Sequence, residues 1–142
     1  MTDNDSPVTI LDTDKAWDLL AGQRLGRLAV KSDVGLDIFP INYAVDGESL
    51  VFRTAEGTKL ASLIANSLVT FEIDSWTEEA GYSVIVKGHA TPITDPKEIA
   101  QAEALRLKPW VPTVKTIFVR IFASEISARK FFFGLDPIPK YR

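Results

Sequence analysis

The residues whose side chains are best suited to bind a ligand lie where an extended segment is followed by a helical one. The segment VFRTAEGTKLASLIAN (51–66) carries Arg53, Thr54, Thr58 and Lys59 around that junction. A helix N-terminus presents unpaired backbone N–H groups and about half a positive charge. A lysine and two hydroxyls add donors for the same anion, so the segment predicts a phosphate site. The spacing equally fits an ordinary helix start, in which Thr58 caps the helix and Lys59 is solvated.

Few other side chains in this sequence favour catalysis. The absence of cysteine excludes disulfides, thiolate nucleophiles and cysteine-ligated metal centres. The single histidine, His89, is expected at the surface or in an interface rather than as a catalytic base. Glu72 and Asp74 alternate along one predicted strand, but no acidic or basic residue nearby completes a hydrolase site. We therefore predict no metal site and name no catalytic residue.

The bulk composition limits the class of protein. A chain of 142 residues suits one domain, and a net charge of -3 offers no general attraction to nucleic acid. No apolar run approaches the ~20 residues of a membrane span. The polar, acidic start MTDNDSPVTI differs from a signal peptide. We expect a cytoplasmic protein that binds neither nucleic acid nor membrane.

Hydrophobic periodicity predicts about six strands, mostly joined locally, and three short helices. We expect a flexible N-terminal arm over 1–11 and a single domain over 12–142. Asp46-Gly47 predicts a tight hairpin, and Pro40 inside a strand predicts an edge or a bulge. The last strand is apolar on both faces, so one face needs a barrel interior and the other a helix or a second subunit. This pattern favours a mainly β, antiparallel barrel with added helices.

Six sequence segments occur in the order and spacing of a known family. They are GRLAV, PINYAVDGESLVFRTAEGTKLA, VTFEID, YSVIVKGHATPITD, LKPWVP and FVRIFASEISARK. Over residues 12–130 the chain resembles the pyridoxamine 5'-phosphate oxidase-like flavoproteins, the FMN-binding split barrels, especially their small bacterial members. The resemblance implies a six-stranded antiparallel split β-barrel that binds FMN. It also implies a homodimer with cofactor sites at the subunit interface and oxidoreductase activity on a small molecule.

The resemblance also assigns individual residues to the cofactor. Arg53, Thr54, Thr58 and Lys59 would hold the FMN phosphate, and the backbone of residues 40–42 would lie along the flavin ring. The full implied set is Pro40, Ile41, Asn42, Phe52, Arg53, Thr54, Thr58, Lys59 and Trp110. Simple packing against the barrel remains the alternative for Trp110, which is held between two prolines.

Two departures from the family pattern concern the substrate. Authentic oxidases carry basic residues on the strand that LDIFPINYAV matches, and this strand has none. They also end in a segment that binds the substrate phosphate, whereas this chain ends in FFFGLDPIPKYR. We therefore predict a relative of pyridoxamine 5'-phosphate oxidase with another substrate. An F420-dependent reductase and a non-catalytic flavin- or haem-binding carrier or sensor remain as alternatives.

Overall fold

The computed structural model describes residues 6–107 and 117–134, apart from the side chain of Thr58. The predicted cofactor residue Trp110 lies outside these residues. The helices are α1 (Thr13–Ala21), α2 (Thr58–Ala65) and α3 (Pro96–Ala104). The strands are β1 (Val8–Leu11), β2 (Leu25–Ser32), β3 (Gly35–Asp46), β4 (Ser49–Thr54), β5 (Leu68–Trp76), β6 (Ala80–Pro92) and β7 (Ile117–Phe132).

Six of the strands close into an antiparallel barrel. The hydrogen-bonded order is β1-β7-β4-β3-β2-β5-β6, and a further pairing between β6 and β7 closes the ring. The prediction of a mainly β antiparallel barrel with added helices is confirmed, although the sheet of the described chain has seven strands rather than six. The predicted hairpin after β3 is confirmed as well, because Gly47 adopts a φ of 62° at the turn.

The seventh strand, β1, corrects the expected N-terminal arm. Residues 8–11 of that arm pair with residues 128–131 of β7. β7 has 16 residues and β4 only 6, so the second half of β7 extends past β4 and leaves an edge that β1 covers. Such an edge arises from the difference in strand length, which the local pattern of residues 8–11 does not reveal.

The barrel interior is filled by alternate residues of the strands and closed by two helices. Tyr43 stacks edge-on against Phe71, with ring centroids 4.8 Å apart, and donates its hydroxyl hydrogen to the carbonyl of Leu20 in α1 at 2.5 Å. Leu60 and Leu63 of α2 are buried in the same core. Because these contacts tie α1 and α2 to the barrel, the start of α2 has a fixed position relative to β3 and β4.

Helix α3 covers the outer face of the barrel beside β4 and β7. Val51, Phe118, Ile93 and Ala102 form a separate buried cluster there. The second apolar face of the last strand is therefore covered at Phe118 by a helix of the same chain, although Phe122 remains exposed. In the described part of the chain, no helix is long and apolar enough to cross a membrane.

Candidate functional site

β3 and β4 separate from each other beyond a short shared ladder. Their pairing runs from Asp46↔Ser49 to Tyr43↔Phe52 and ends there. Continuing the same register would place Asn42 opposite Arg53 and Ile41 opposite Thr54. Instead, residues 40–42 stay paired with β2, and residues 53–54 stay paired with β7. We call the resulting opening the β3–β4 split, with residues 40–42 as one lip and residues 53–54 as the other.

The split brings together the residues that were predicted to hold a cofactor. One lip contains Pro40, Ile41 and Asn42, and the other contains Arg53 and Thr54. In the described chain these lips have no ladder partner across the opening, so backbone polar groups that face it are available to a ligand.

The predicted residues differ in what their side chains offer to such a ligand. Ile41 and Phe52 are buried in the barrel core, so they can approach a ligand only through their backbone. The buried Thr54 hydroxyl donates to the carbonyl of Ala55 at 3.3 Å. The side-chain amide of Asn42 donates to the carbonyl of Arg24 at 3.3 Å, which fixes its orientation on the outer face of β3.

Arg53 carries the clearest sign of a missing partner. Its guanidinium lies 5.0 Å from the centroid of the Phe118 ring. Its Nε is buried and has no hydrogen-bond partner within the described residues. A buried donor without an acceptor is costly, and more so when the group is charged. The arrangement therefore fits an anionic acceptor at this lip of the split.

The start of α2 supplies further donors beside the split. Gly57 occupies the N-cap position with a φ of 154°, and none of the described side chains caps the first turn. Thr58 is thus the first helical residue rather than the cap, so an ordinary threonine-capped start does not describe this helix. Lys59 places its Nζ 4.9 Å from the centroid of Phe39, the neighbour of Pro40. This contact sets the first turn of α2 against the β3 lip.

The other titratable residues considered as catalytic candidates, His89, Glu72 and Asp74, lie outside the split. His89 is exposed on β6, and its Nδ1 lies 3.1 Å from the Ser67 hydroxyl. Glu72 has a basic neighbour that the sequence did not indicate, because β2 places Nη1 of Arg27 2.6 Å from Oε1 of Glu72. Burial and the adjacent Asp74 raise the pKa of Glu72. This cluster of opposite charges lies on the outer wall of the barrel.

One feature next to the split has no counterpart in the sequence prediction. A groove of about 450 Å³ lies on the outer side of β3, and both Arg24 and Arg106 line it. Asn42 belongs to both this groove and the β3 lip. No local sequence motif predicts the groove, because one of its two arginines comes from the loop before β2 and the other from the end of α3.

An antiparallel barrel that opens between two strands, beside the N-terminus of a helix, defines a split-barrel protein. The chain belongs to the pyridoxamine 5'-phosphate oxidase family, whose model matches residues 12–130. The suspected family resemblance is therefore confirmed.

Individual relatives support this assignment. The uncharacterized protein Rv3129 of Mycobacterium tuberculosis is 43% identical over 93 residues, which cover 66% of this chain and 84% of the relative. A candidate pyridoxamine 5'-phosphate oxidase from Corynebacterium glutamicum has a TM-score of 0.80 and 39% identity over 92% of this chain and 98% of its own. The FAD binding protein from Mycobacterium smegmatis has a TM-score of 0.78 and 42% identity, with coverages of 88% and 99%.

The same fold also occurs in a protein with another cofactor. A heme binding protein from Mycobacterium smegmatis has a TM-score of 0.67 at 17% identity, covering 79% of this chain and 51% of its own. At that identity the similarity concerns the fold alone.

Proposed function

We propose that this protein binds a flavin nucleotide in the β3–β4 split and acts as an oxidoreductase on a small molecule. The observation that carries the proposal is the buried, unpartnered Nε of Arg53 at one lip of the split. The relative from Mycobacterium smegmatis described as an FAD binding protein, at 42% identity, supports a flavin rather than another phosphate ligand.

The proposed phosphate position lies between Arg53 and the first turn of α2. Arg53 would donate from the β4 lip, while backbone N–H groups after Gly57 and the ammonium of Lys59 would donate from the helix. Thr54 and Thr58 complete the proposed set. FMN is our first candidate, and FAD shares the phosphate next to the ribityl chain. Trp110 remains a proposed contact.

The β3 lip would position the flavin ring. Residues 40–42 are held in place by their ladder with β2, and Asn42 is also fixed by its bond to the Arg24 carbonyl. A bound flavin supplies hydride or electron transfer, while the protein binds it, orients it and limits access of water. Because β3 contains no lysine or arginine, we propose a substrate other than pyridoxamine 5'-phosphate.

We further propose that a second copy of the chain covers the first half of the outer face of β3. Leu36 and Ile38 are 78% and 69% exposed, and they lie on the same strand face as Pro40 and Asn42. An apolar row beside the lip of the split would be buried together with a cofactor in a homodimer whose sites are shared. Sedimentation should give a dimer, which Ile38→Asp should dissociate. A wild-type monomer that still binds flavin would contradict the shared site.

The cofactor proposal is tested by loading the purified protein with FMN, FAD, riboflavin, F420 or haem and separating free ligand by gel filtration. We expect FMN or FAD to remain with the protein and riboflavin to bind more weakly, because riboflavin lacks the phosphate. Retention of F420 or haem alone would replace the flavin by one of the alternative cofactors. A haem result would also require a ligand other than His89 at the split, since this histidine lies on β6.

A further inference from the structure

The groove next to the split is lined by two arginine side chains and otherwise by uncharged residues. Its described lining consists of Ala21, Gln23, Arg24, Asn42, Tyr43, Ala44, Val45, Leu105, Arg106 and Leu107. None of these residues is acidic, although the chain as a whole has a net charge of -3. A volume of about 450 Å³ falls within the range of small-molecule sites. Amide groups and apolar side chains accompany the two arginines, which suits an organic molecule with an acidic end.

The backbone of Arg24 is held firmly at the edge of this groove. Its carbonyl accepts hydrogen bonds from the backbone N–H of Tyr43 at 3.0 Å and from the amide of Asn42 at 3.3 Å. These bonds join the loop before β2 to the β3 lip. The exposed side chain of Arg24 therefore starts from a fixed point beside the split.

Arg106, the second arginine that lines the groove, has an unusual backbone conformation. Its φ is 53°, and it is the only residue other than glycine with a positive φ in the described chain. Glycine is the usual residue at such a position after a helix, because a Cβ makes this conformation unfavourable. An arginine here retains a guanidinium at the groove despite that cost.

We propose that the Arg24–Arg106 groove binds the acidic group, a carboxylate or a phosphate, of a small organic molecule. The inference rests on the proposed flavin function, because Asn42 lines both the groove and the split. The acidic group has two possible sources. It belongs to a separate substrate that lies against the flavin, or it is the outer phosphate of FAD reaching out of the split.

The test compares wild type with Arg24→Gln, Arg106→Gln and the double variant. Arg129→Gln is the matched control, because Arg129 is exposed on the part of β7 that pairs with β1 and β6. Calorimetry measures the Kd of FMN, FAD, benzoate and phenyl phosphate, with benzamide as the neutral analogue of benzoate. The two acids are titrated with and without flavin, so that their binding is measured even if FMN does not bind.

We expect each single variant to weaken an acidic ligand at least about tenfold, while FMN, benzamide and the control remain unchanged. If the variants weaken the binding of FAD alone, the group in the groove is the outer phosphate of the dinucleotide. If they weaken the binding of benzoate or phenyl phosphate alone, it is the acidic group of a separate substrate. Unchanged binding of FAD and both acids by the double variant overturns the proposal. Failure of wild type to bind any flavin overturns the proposed function instead, whatever the acids do.

A glycine variant separates binding from folding. Arg106→Gly relieves the positive φ, so the Tm should be unchanged or raised while the acidic ligand is lost. Retention of full affinity by this variant would show that the Arg106 guanidinium does not contact the anion.

Discussion

Replacing Arg53 by methionine should change stability and cofactor affinity in opposite directions. Methionine keeps an apolar contact with Phe118 but removes the buried Nε that has no described acceptor. Relief of a buried unpaired donor contributes about 1–3 kcal/mol, and loss of the cation–π contact costs about 0.5–2 kcal/mol. We therefore expect the stability of the flavin-free variant to lie between about 1 kcal/mol below and about 2.5 kcal/mol above that of wild type, with a net gain at the middle of these ranges.

The same change should remove a charge-assisted hydrogen bond to the proposed phosphate. Such a bond is worth about 1.5–3 kcal/mol, or roughly ten- to over a hundredfold in Kd. At an FMN concentration of about 100 times the wild-type Kd, binding stabilises wild type by about 2.7 kcal/mol. A variant that binds about a hundredfold more weakly gains only about 0.4 kcal/mol at that concentration.

Thermal unfolding with and without FMN measures both effects. For a domain of this size, about 2.7 kcal/mol corresponds to a rise in Tm of roughly 8–13 °C, against only ~1–2 °C for the variant. Arg129→Met serves as the control for the lost charge. If flavin-free Arg53→Met is strongly destabilised, and if FMN and riboflavin weaken equally, Arg53 has a structural role and no phosphate lies beside it.

Three further substitutions test the helix start, the barrel core and the outer wall. Lys59→Glu should weaken FMN at least about tenfold more than riboflavin in a fluorescence titration, and equal losses would place the phosphate elsewhere. Gly26→Ala should lower the free energy of unfolding in urea by about 1–3 kcal/mol or more. The added Cβ would lie 2.1 Å from Cζ of Phe71, and an unchanged urea midpoint would contradict this packing. Because the pKa of the Glu72 carboxyl group is raised, the folded state keeps this group protonated to a higher pH than the unfolded state does. The free energy of unfolding should therefore fall as the pH rises from the unfolded-state pKa to the folded-state pKa. Glu72→Gln should flatten this fall when urea unfolding is followed at pH values above the ordinary glutamate pKa of about 4.3, despite loss of the bond to Arg27.

Local chemistry in the sequence determined the helices and every strand except β1. The sequence predicted that the segment 51–66 passes from a strand to a helix, and α2 spans Thr58–Ala65. Asp46-Gly47 predicted the hairpin between β3 and β4, and glycine at a positive φ forms its turn. These features depend on neighbours within a few residues, so propensity and periodicity were sufficient to predict them.

The sequence predicted which residues form the candidate site, but it did not predict where in the fold they come together. The family resemblance named residues 40–42 and 53–54 together, while the hairpin pattern gave no reason for their strands to separate. The ladder ends at Tyr43↔Phe52 because each strand continues with a different neighbour, β2 for β3 and β7 for β4. That choice depends on barrel closure, which no segment specifies alone.

Tertiary structure alone decided which distant side chains meet. β1 pairs with β7 because β7 extends past the end of β4, Arg27 lies opposite Glu72 in the β2–β5 register, and Arg24 and Arg106 line the same groove. Each of these pairs joins segments far apart in the chain, whose side chains follow no shared period. The sequence determined β2 to β7 and the three helices, and it predicted an anion site at the start of α2. Closure of the barrel determined where the strands part and which charges surround the opening, because both depend on long-range register rather than on local preference.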